Sequence, residues 1–472
     1  MTTGNGSPLQ PDQVLGALWS EVALPPDALD DVRLSGADPV LPSSFAVGTA
    51  AQMAIAASAL AAATIGRLRG GPRQQVGVDM RHAAIEYHSE RWLWVNGEPA
   101  AGPWDKIAGT YQCDDGRWVL VHANFPHHRA GVLKLLGCDN DRAAVAAALL
   151  RRRAFEFEEE AAAAGLCVTA MRSFAEWDAH PQGRAVQSEP LVAITRIGDA
   201  PPQKLPSAQR PLGGLRVLDL TRVIAGPVCG RTLAAHGADV LLITAPHLYN
   251  PQPLAIDTGR GKLSAQLDLR DNAARETLFY LLRDADIFVQ GYRPGALARF
   301  GLTPDQTARI RPGIVHVSLC AYGHTGPWSG RRGFDSLTQT VSGFNAAEAE
   351  AAGQTAPKPL PVQALDHSSG YLMALGALAA LHRRATIGGS WHVRVSLART
   401  GHWIRNLGRV SGGLGCHNPT RDGIADLLED SDSGFGRLSA VRHAAQMSAT
   451  PVRWDRPSMP PGTHAPRWPS TA

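Results

Sequence analysis

The chain has 472 residues, of which 44% are hydrophobic and 19% charged, with a formal net charge of +4. That length allows two or three cores, and the weak net charge argues against a nucleic-acid partner. The tightest basic run, Arg151-Arg152-Arg153, is followed at once by the acidic stretch from Glu156 to Glu160, an alternation that reads as a solvated helix face.

The six cysteines (Cys113, Cys138, Cys167, Cys229, Cys320 and Cys416) are scattered without CxxC or Cys/His ligand spacing. They predict no metal site and read as reduced, mostly buried thiols of a cytoplasmic protein.

Met1 to Gln10 is polar and lacks the basic-then-apolar layout of a signal peptide. The longest apolar run, about Ala46 to Ile65, is long enough to span a bilayer, but it is mostly alanine with Thr49 and Gln52 inside it. It predicts a packed core helix and no membrane partner. Gln75 to Met80 is β-prone, a helix is expected around Ala83 to Trp94, and the segment Asn96 to Lys106 is a loop carrying Trp104 and Asp105. Gly109 to Gln112 and Trp118 to His122 flank Asp114-Asp115-Gly116, a strong hairpin signal. Helices dominate from there to about Ala179, so the first half reads as a smaller α+β lobe.

Residues 199–211 are Pro-rich and form the best linker. Beyond them β-prone runs alternate with helical ones. Leu215 to Leu220 precedes the turn Val223 to Pro227 and a helix to about His236, and then come the strand Ala238 to Ile243 and a short one at Leu263 to Leu267. The helix Asn272 to Arg283 leads to the strand Ile287 to Gln290, and Ile314 to Leu319 is another. This alternation predicts an α/β fold, a Rossmann-like parallel sheet, with its ligand cleft beyond the carboxyl ends of the strands. The expected division is 1–198, 199–211, 212–350, 351–447 with a helix headed by a carboxylate, and an irregular tail at 448–472.

The carboxylate is Asp366, in Ala364-Leu365-Asp366-His367-Ser368-Ser369-Gly370 at the start of a small-residue apolar helix (Tyr371 to Leu381). Unpaired amides and the helix dipole favour a negative charge there. The same pattern has a faint upstream echo. Gly48, an Ala-rich helix, Thr64-Ile-Gly and Val76-Gly-Val-Asp-Met80 parallel Gly370, an Ala/Leu helix, Thr386-Ile-Gly and Val393-Arg-Val-Ser-Leu397. In that register Ser44 stands where the second copy has Asp366.

Several segments after the linker resemble, in order, the family III CoA-transferases, the CaiB/BaiF group that includes formyl-CoA transferase and carnitine CoA-transferase. They are Val217 to Pro227, Leu233 to Val240, Gly259-Arg-Gly-Lys262, Asp284 to Gly295, Val317 to Pro327, Gly333-Phe-Asp335 and Leu365-Asp366. The resemblance implies that Asp366 is the nucleophile, attacking an acyl-CoA thioester and later carrying CoA as an aspartyl thioester to an acceptor acid. A carboxylate of reference pKa ~3.9 is ionised at neutral pH and needs no general base. By position, Val223, Ala225, Gly291 and Tyr292 would cradle CoA, and Lys262, Arg299 and Arg332 would meet its phosphates. Phe334, His367 and Trp104 would border the substrate pocket. CoA would be substrate and not a resident cofactor, and the family's interlocked rings imply a possible homodimer.

The chain departs from the family pattern in three places. Thr244 replaces the usual acid after the second strand. Phe334 stands where transferases usually have Tyr and racemases His, and phenylalanine cannot move a proton. The small lobe precedes the nucleotide-type domain, a permuted or fused order in which both halves are expected to intertwine. The rival readings are an acyl-CoA racemase using His367 as base and a non-catalytic acyl-CoA-binding subunit. A NAD-dependent enzyme is weaker, because the turn Arg222 to Pro227 lacks the Gly-x-Gly-x-x-Gly fingerprint.

Overall fold

Runs such as Val217-Leu218, Val240-Leu241 and Ile287 to Val289 are too continuously apolar for a one-sided sheet, and they lie buried. In the computed structural model, which describes residues 8–102 and 104–469, they belong to a seven-stranded sheet. Its order is Lys262–Gln266, Asp239–Thr244, Arg216–Leu220, Ile287–Gln290, Val315–Cys320, Ser390–Ser396, Ala193–Gly198. The first six run parallel and the last is antiparallel. Chain order reverses at Arg216–Leu220, so a crevice opens beyond the carboxyl ends of that strand and Ile287–Gln290.

The sheet does not stop at the Pro-rich segment. Ala193–Gly198, from the first half, pairs with Ser390–Ser396 and occupies one edge, where an unpaired strand would leave its amides open. The expected helix from Ala83 to Trp94 is also shorter, covering only Met80–Glu86 before a 3-10 turn at Ser89–Arg91 and a short strand at Trp94–Val95. Tertiary bonds override helix propensity here, since Ser89 donates to buried Asp257 at 2.6 Å and Glu90 meets His367 at 3.2 Å. The hairpin Gly109–Gln112 and Trp118–Val121 forms as expected and adds Val168–Ala170 as a third strand. Tyr111, Val119, Val121 and Phe157 give this lobe a core of its own.

The upstream echo is structural. The helices Val47–Leu68 and Ala364–Ile387 pack against each other, and each is followed by a strand in a parallel pair. The amide of Ser44 donates to Glu348 at 2.9 Å, as that of Asp366 donates to Asp335 at 2.9 Å. Both helix starts are thus met by a buried carboxylate, but only the second carries one of its own. Among the described residues, Val47–Leu68 is the one helix long and apolar enough to cross a membrane, and it is buried in the core.

Buried charges knit the segments together. Arg231 pairs with Asp257 at 2.6 Å and lies 3.9 Å from Glu86, Asp257 also binds Arg260 at 2.8 Å, and Tyr371 donates to Glu86 at 2.6 Å. The final segment, 451–469, has no regular structure. It is nonetheless fastened, with the indoles of Trp454 and Trp468 donating to Arg231 and Leu281 carbonyls, both at 3.0 Å.

Candidate active site

Glycine at 370 lets the Ala364–Ile387 helix approach the first turn of the Ala225–Ala235 helix. A methyl group there would lie 2.6 Å from the Ala225 carbonyl oxygen and 2.7 Å from Val228. This close crossing brings Asp366, in the first helical turn, to the crevice at the sheet's reversal point. Val223 lines the same crevice, and its φ of 76° is a left-handed backbone that a β-branched residue rarely adopts. Such strain clusters at functional sites.

Asp366 borders two cavities at once. The larger, about 400 Å3, lies over the strand ends and is lined by Val223, Ala225, Gly291, Tyr292, Arg299, Arg332 and Phe334. The smaller, about 330 Å3, is lined by Glu90, Trp104, His122, Asn124 and Phe334 among others. Phe125, Val223, Ile224, Phe334 and Asp366 belong to both. Phe334 sits in a cluster of rings, stacked at 4.0 Å on His122 and 5.4 Å on Phe125, which are themselves 6.2 Å apart.

The carboxylate is neither alone nor freely ionised, which corrects the simple picture of a charged aspartate at a helix start. Asp335 Oδ2 accepts the amides of Leu365 and Asp366 at 2.8 and 2.9 Å, and Gln339 donates to its other oxygen. Burial lifts Asp335 to about 6, against the pull of those donors. Asp366 is raised well above the ordinary carboxylate range by burial, then by the charges of Asp335 and Glu90. Its side-chain oxygens accept no hydrogen bond from the described residues. Asp335 was in view as part of Gly333-Phe-Asp335, but its partner lies 31 positions away and no local signal links them.

The larger cavity is strongly basic. Arg222, Arg293, Arg299 and Arg332 border it, and none has a carboxylate within salt-bridge distance among the described residues. Arg293 is pushed down by burial and by the charge of Arg332. His128 is held at about 3 by burial and by neighbouring positive groups. Arg222 lies 5.8 Å over both Phe125 and Tyr292. Arg222 and Arg293 fall within stretches noted for other features, the turn Arg222 to Pro227 and the segment Asp284 to Gly295.

Two expected residues lie elsewhere. Lys262 is buried, with its ammonium 2.8 Å from Asp219 Oδ2 and 2.8 Å from the Pro227 carbonyl, so it cannot meet a phosphate. A buried lysine takes the nearest carboxylate, and Asp219 supplies it from two strands away in the same sheet. His367 is turned away from both cavities, stacked on Tyr87 at 5.4 Å and bonded to Glu90 at 3.2 Å. It therefore does not replace the proton-moving side chain absent at Phe334. Among the described residues no group of three or more His, Cys, Asp or Glu is placed to ligate a metal ion.

The sequence profile of CoA-transferase family III matches the chain in two stretches, 34–201 and 212–408. The acetyl-coenzyme A transferase nodX of Hypoxylon pulicicidum is 31% identical over 328 residues, 64% of this chain and 55% of that protein. The probable fatty acyl-CoA transferase Rv3272 of Mycobacterium tuberculosis is 33% identical over 201 residues, 40% of this chain and 50% of that protein. This chain thus spans about half the length of these relatives. A solved structure of Rv3272 aligns over 42% of this chain and 56% of that one at 31% identity, with a TM-score of 0.39.

Proposed function

We propose that this chain, which belongs to CoA-transferase family III, moves CoA from an acyl-CoA thioester to a carboxylic acid through covalent intermediates on Asp366. The observation that carries this reading is the position of Asp366 in the wall of both cavities. The basic cavity suits the phosphates of CoA, with Arg222, Arg293, Arg299 and Arg332 in its lining. The smaller cavity suits the acyl group of the donor or the acceptor acid.

In this scheme a carboxylate oxygen of Asp366 attacks the thioester carbonyl, the C–S bond breaks, and a mixed anhydride and CoA thiolate form. The thiolate attacks the aspartyl carbonyl and expels the donor acid, leaving an aspartyl-CoA thioester. The acceptor carboxylate repeats the sequence in reverse, and Asp366 is regenerated. Burial of Asp366 serves this chemistry twice, because a poorly solvated carboxylate is the more reactive nucleophile and the intermediates must be kept from water. Val223, Ile224 and Ala225 line the same space as Asp366, so the developing oxyanion forms beside the start of the Ala225–Ala235 helix, where the helix dipole favours negative charge.

The test is incubation with a panel of acyl-CoA donors, reduction or hydroxylamine trapping, and mass spectrometry of the digest. A modified Asp366 supports the reading, and turnover without modification of Asp366 sinks it. CoA binding without turnover favours the binding-subunit reading instead. Deuterium uptake at the acyl α-carbon favours the racemase, with His122, held down to about 4 by burial, lining the smaller cavity as a neutral imidazole.

A further inference from the structure

We propose that Glu90, braced by His367, makes the smaller cavity select carboxylic acids whose far end carries a hydrogen-bond donor, a hydroxyl or ammonium, and reject those ending in a second carboxylate. The proposal rests on the CoA-transfer reading for the placement of the reacting carboxyl group at Asp366.

His367 is 1% exposed and Glu90 10%. The imidazole Nε2 lies 3.2 Å from Glu90 Oε2, while Nδ1 is buried without a partner among the described residues. Nδ1 has nothing in the interior to accept a proton from it, so the hydrogen bond to Glu90 is made by the proton on Nε2. The ring is fixed by stacking on Tyr87 at 5.4 Å, and Tyr87 in turn donates to Ser368 at 3.1 Å. Burial works against a charge on Glu90, yet the bond from His367 and the imidazoles of His367 and His88 hold it below the ordinary glutamate range. Its second oxygen is 3.9 Å from His88 Nε2, too far for a hydrogen bond, and so remains an open acceptor.

The walls beside Glu90 include Trp104, Phe125, Pro251, Pro253 and Leu254, which suit a hydrocarbon body. Arg91 also borders the cavity, but it is exposed, with its guanidinium 5.3 Å over the Trp92 ring. An acid with its carboxyl at Asp366 and a hydroxyl or ammonium at Glu90 satisfies the open oxygen. A terminal methyl leaves it unpaired, and a second carboxylate sets like charges together in a low-dielectric space.

The test is calorimetric binding to full-length Asp366→Asn protein saturated with coenzyme A. Straight-chain acids of four to eight carbons are compared, each as the parent acid, the ω-hydroxy acid and the dicarboxylic acid. At the best length the ω-hydroxy acid should bind about tenfold or more tighter than the dicarboxylic acid. In the Glu90→Gln background that preference should fall to about threefold or less, and His367→Asn, which removes the brace and keeps the charge, should narrow it partway. Equal or tighter binding of the dicarboxylic acid, a preference untouched by Glu90→Gln, or no binding by any acid would each overturn the proposal. Turnover is not needed, so failure of covalent transfer at Asp366 is read separately by the trapping experiment.

Discussion

The carboxylate of Asp335 accepts the backbone amide of Asp366 at 2.9 Å and at the same time raises the pKa of the Asp366 side chain. One group thus holds the helix start in place and discourages ionisation of the residue it positions. The free site is therefore electrostatically loaded, and the load has measurable consequences.

Formation of the covalent intermediate should lose rate as pH falls, through a midpoint above the ordinary carboxylate range, because only ionised Asp366 attacks. Single-turnover kinetics with an acyl-CoA donor across pH measure that midpoint. Asp335→Asn keeps an oxygen able to accept the two amides but removes the charge, so the acid limb should move to lower pH. An unmoved limb would assign the loading to burial alone.

Asp366→Asn should abolish transfer by about three orders of magnitude or more and also raise the melting temperature at neutral pH. The sign follows from linkage. A group whose folded pKa is raised contributes stability below its unfolded value, ~3.9, and loses that contribution as pH rises through the folded value. The thermal advantage of the asparagine protein should be small near pH 4 and grow toward neutrality. Scanning calorimetry over that range checks it, and a constant or inverted difference counts against the loaded site.

The cationic residues divide by position. Arg299→Ala and Arg332→Ala should each raise the KM for acyl-CoA about tenfold, the size of one hydrogen bond to a charged group, with more effect at low salt. Melting temperature should barely change. Lys262→Met should do the reverse, leaving Asp219 buried without its 2.8 Å partner and costing about 3–5 kcal/mol of stability. Denaturant unfolding and steady-state kinetics together separate the two behaviours.

Gly370→Ala places a methyl group against the Ala225 carbonyl and Val228. Forcing the two helices apart should cost about 1–3 kcal/mol and lower kcat more than it raises KM, since Asp366 shifts relative to Val223. An unaltered kcat would mean that the crossing does not set the position of Asp366.

Much of the architecture was legible along the chain. The helix Asn272–Arg283, the strand Ile287–Gln290 and the hairpin at Asp114-Asp115-Gly116 fall where local pattern puts them, because periodicity and turn chemistry act between residues a few positions apart. Asp366 stood out for the same reason. Lys262 misled, since a lysine after Gly-Arg-Gly resembles a phosphate contact until Asp219, 43 positions earlier, is seen to claim it. The stopping point of the Met80–Glu86 helix was invisible too, being set by bonds to Asp257 and His367 from distant segments.

Composition, hydrophobic period and motif order therefore determined the alternating α/β plan, the turn chemistry and the helix start that bears Asp366. Tertiary structure alone decided that Asp366 would be loaded by Asp335 and Glu90, that His367 would face away from both cavities, and that the strand Ala193–Gly198 would complete the sheet of the other half. The physical reason is that charge, burial and edge pairing depend on distance through space, and the groups that set them here lie tens to hundreds of residues apart along the chain.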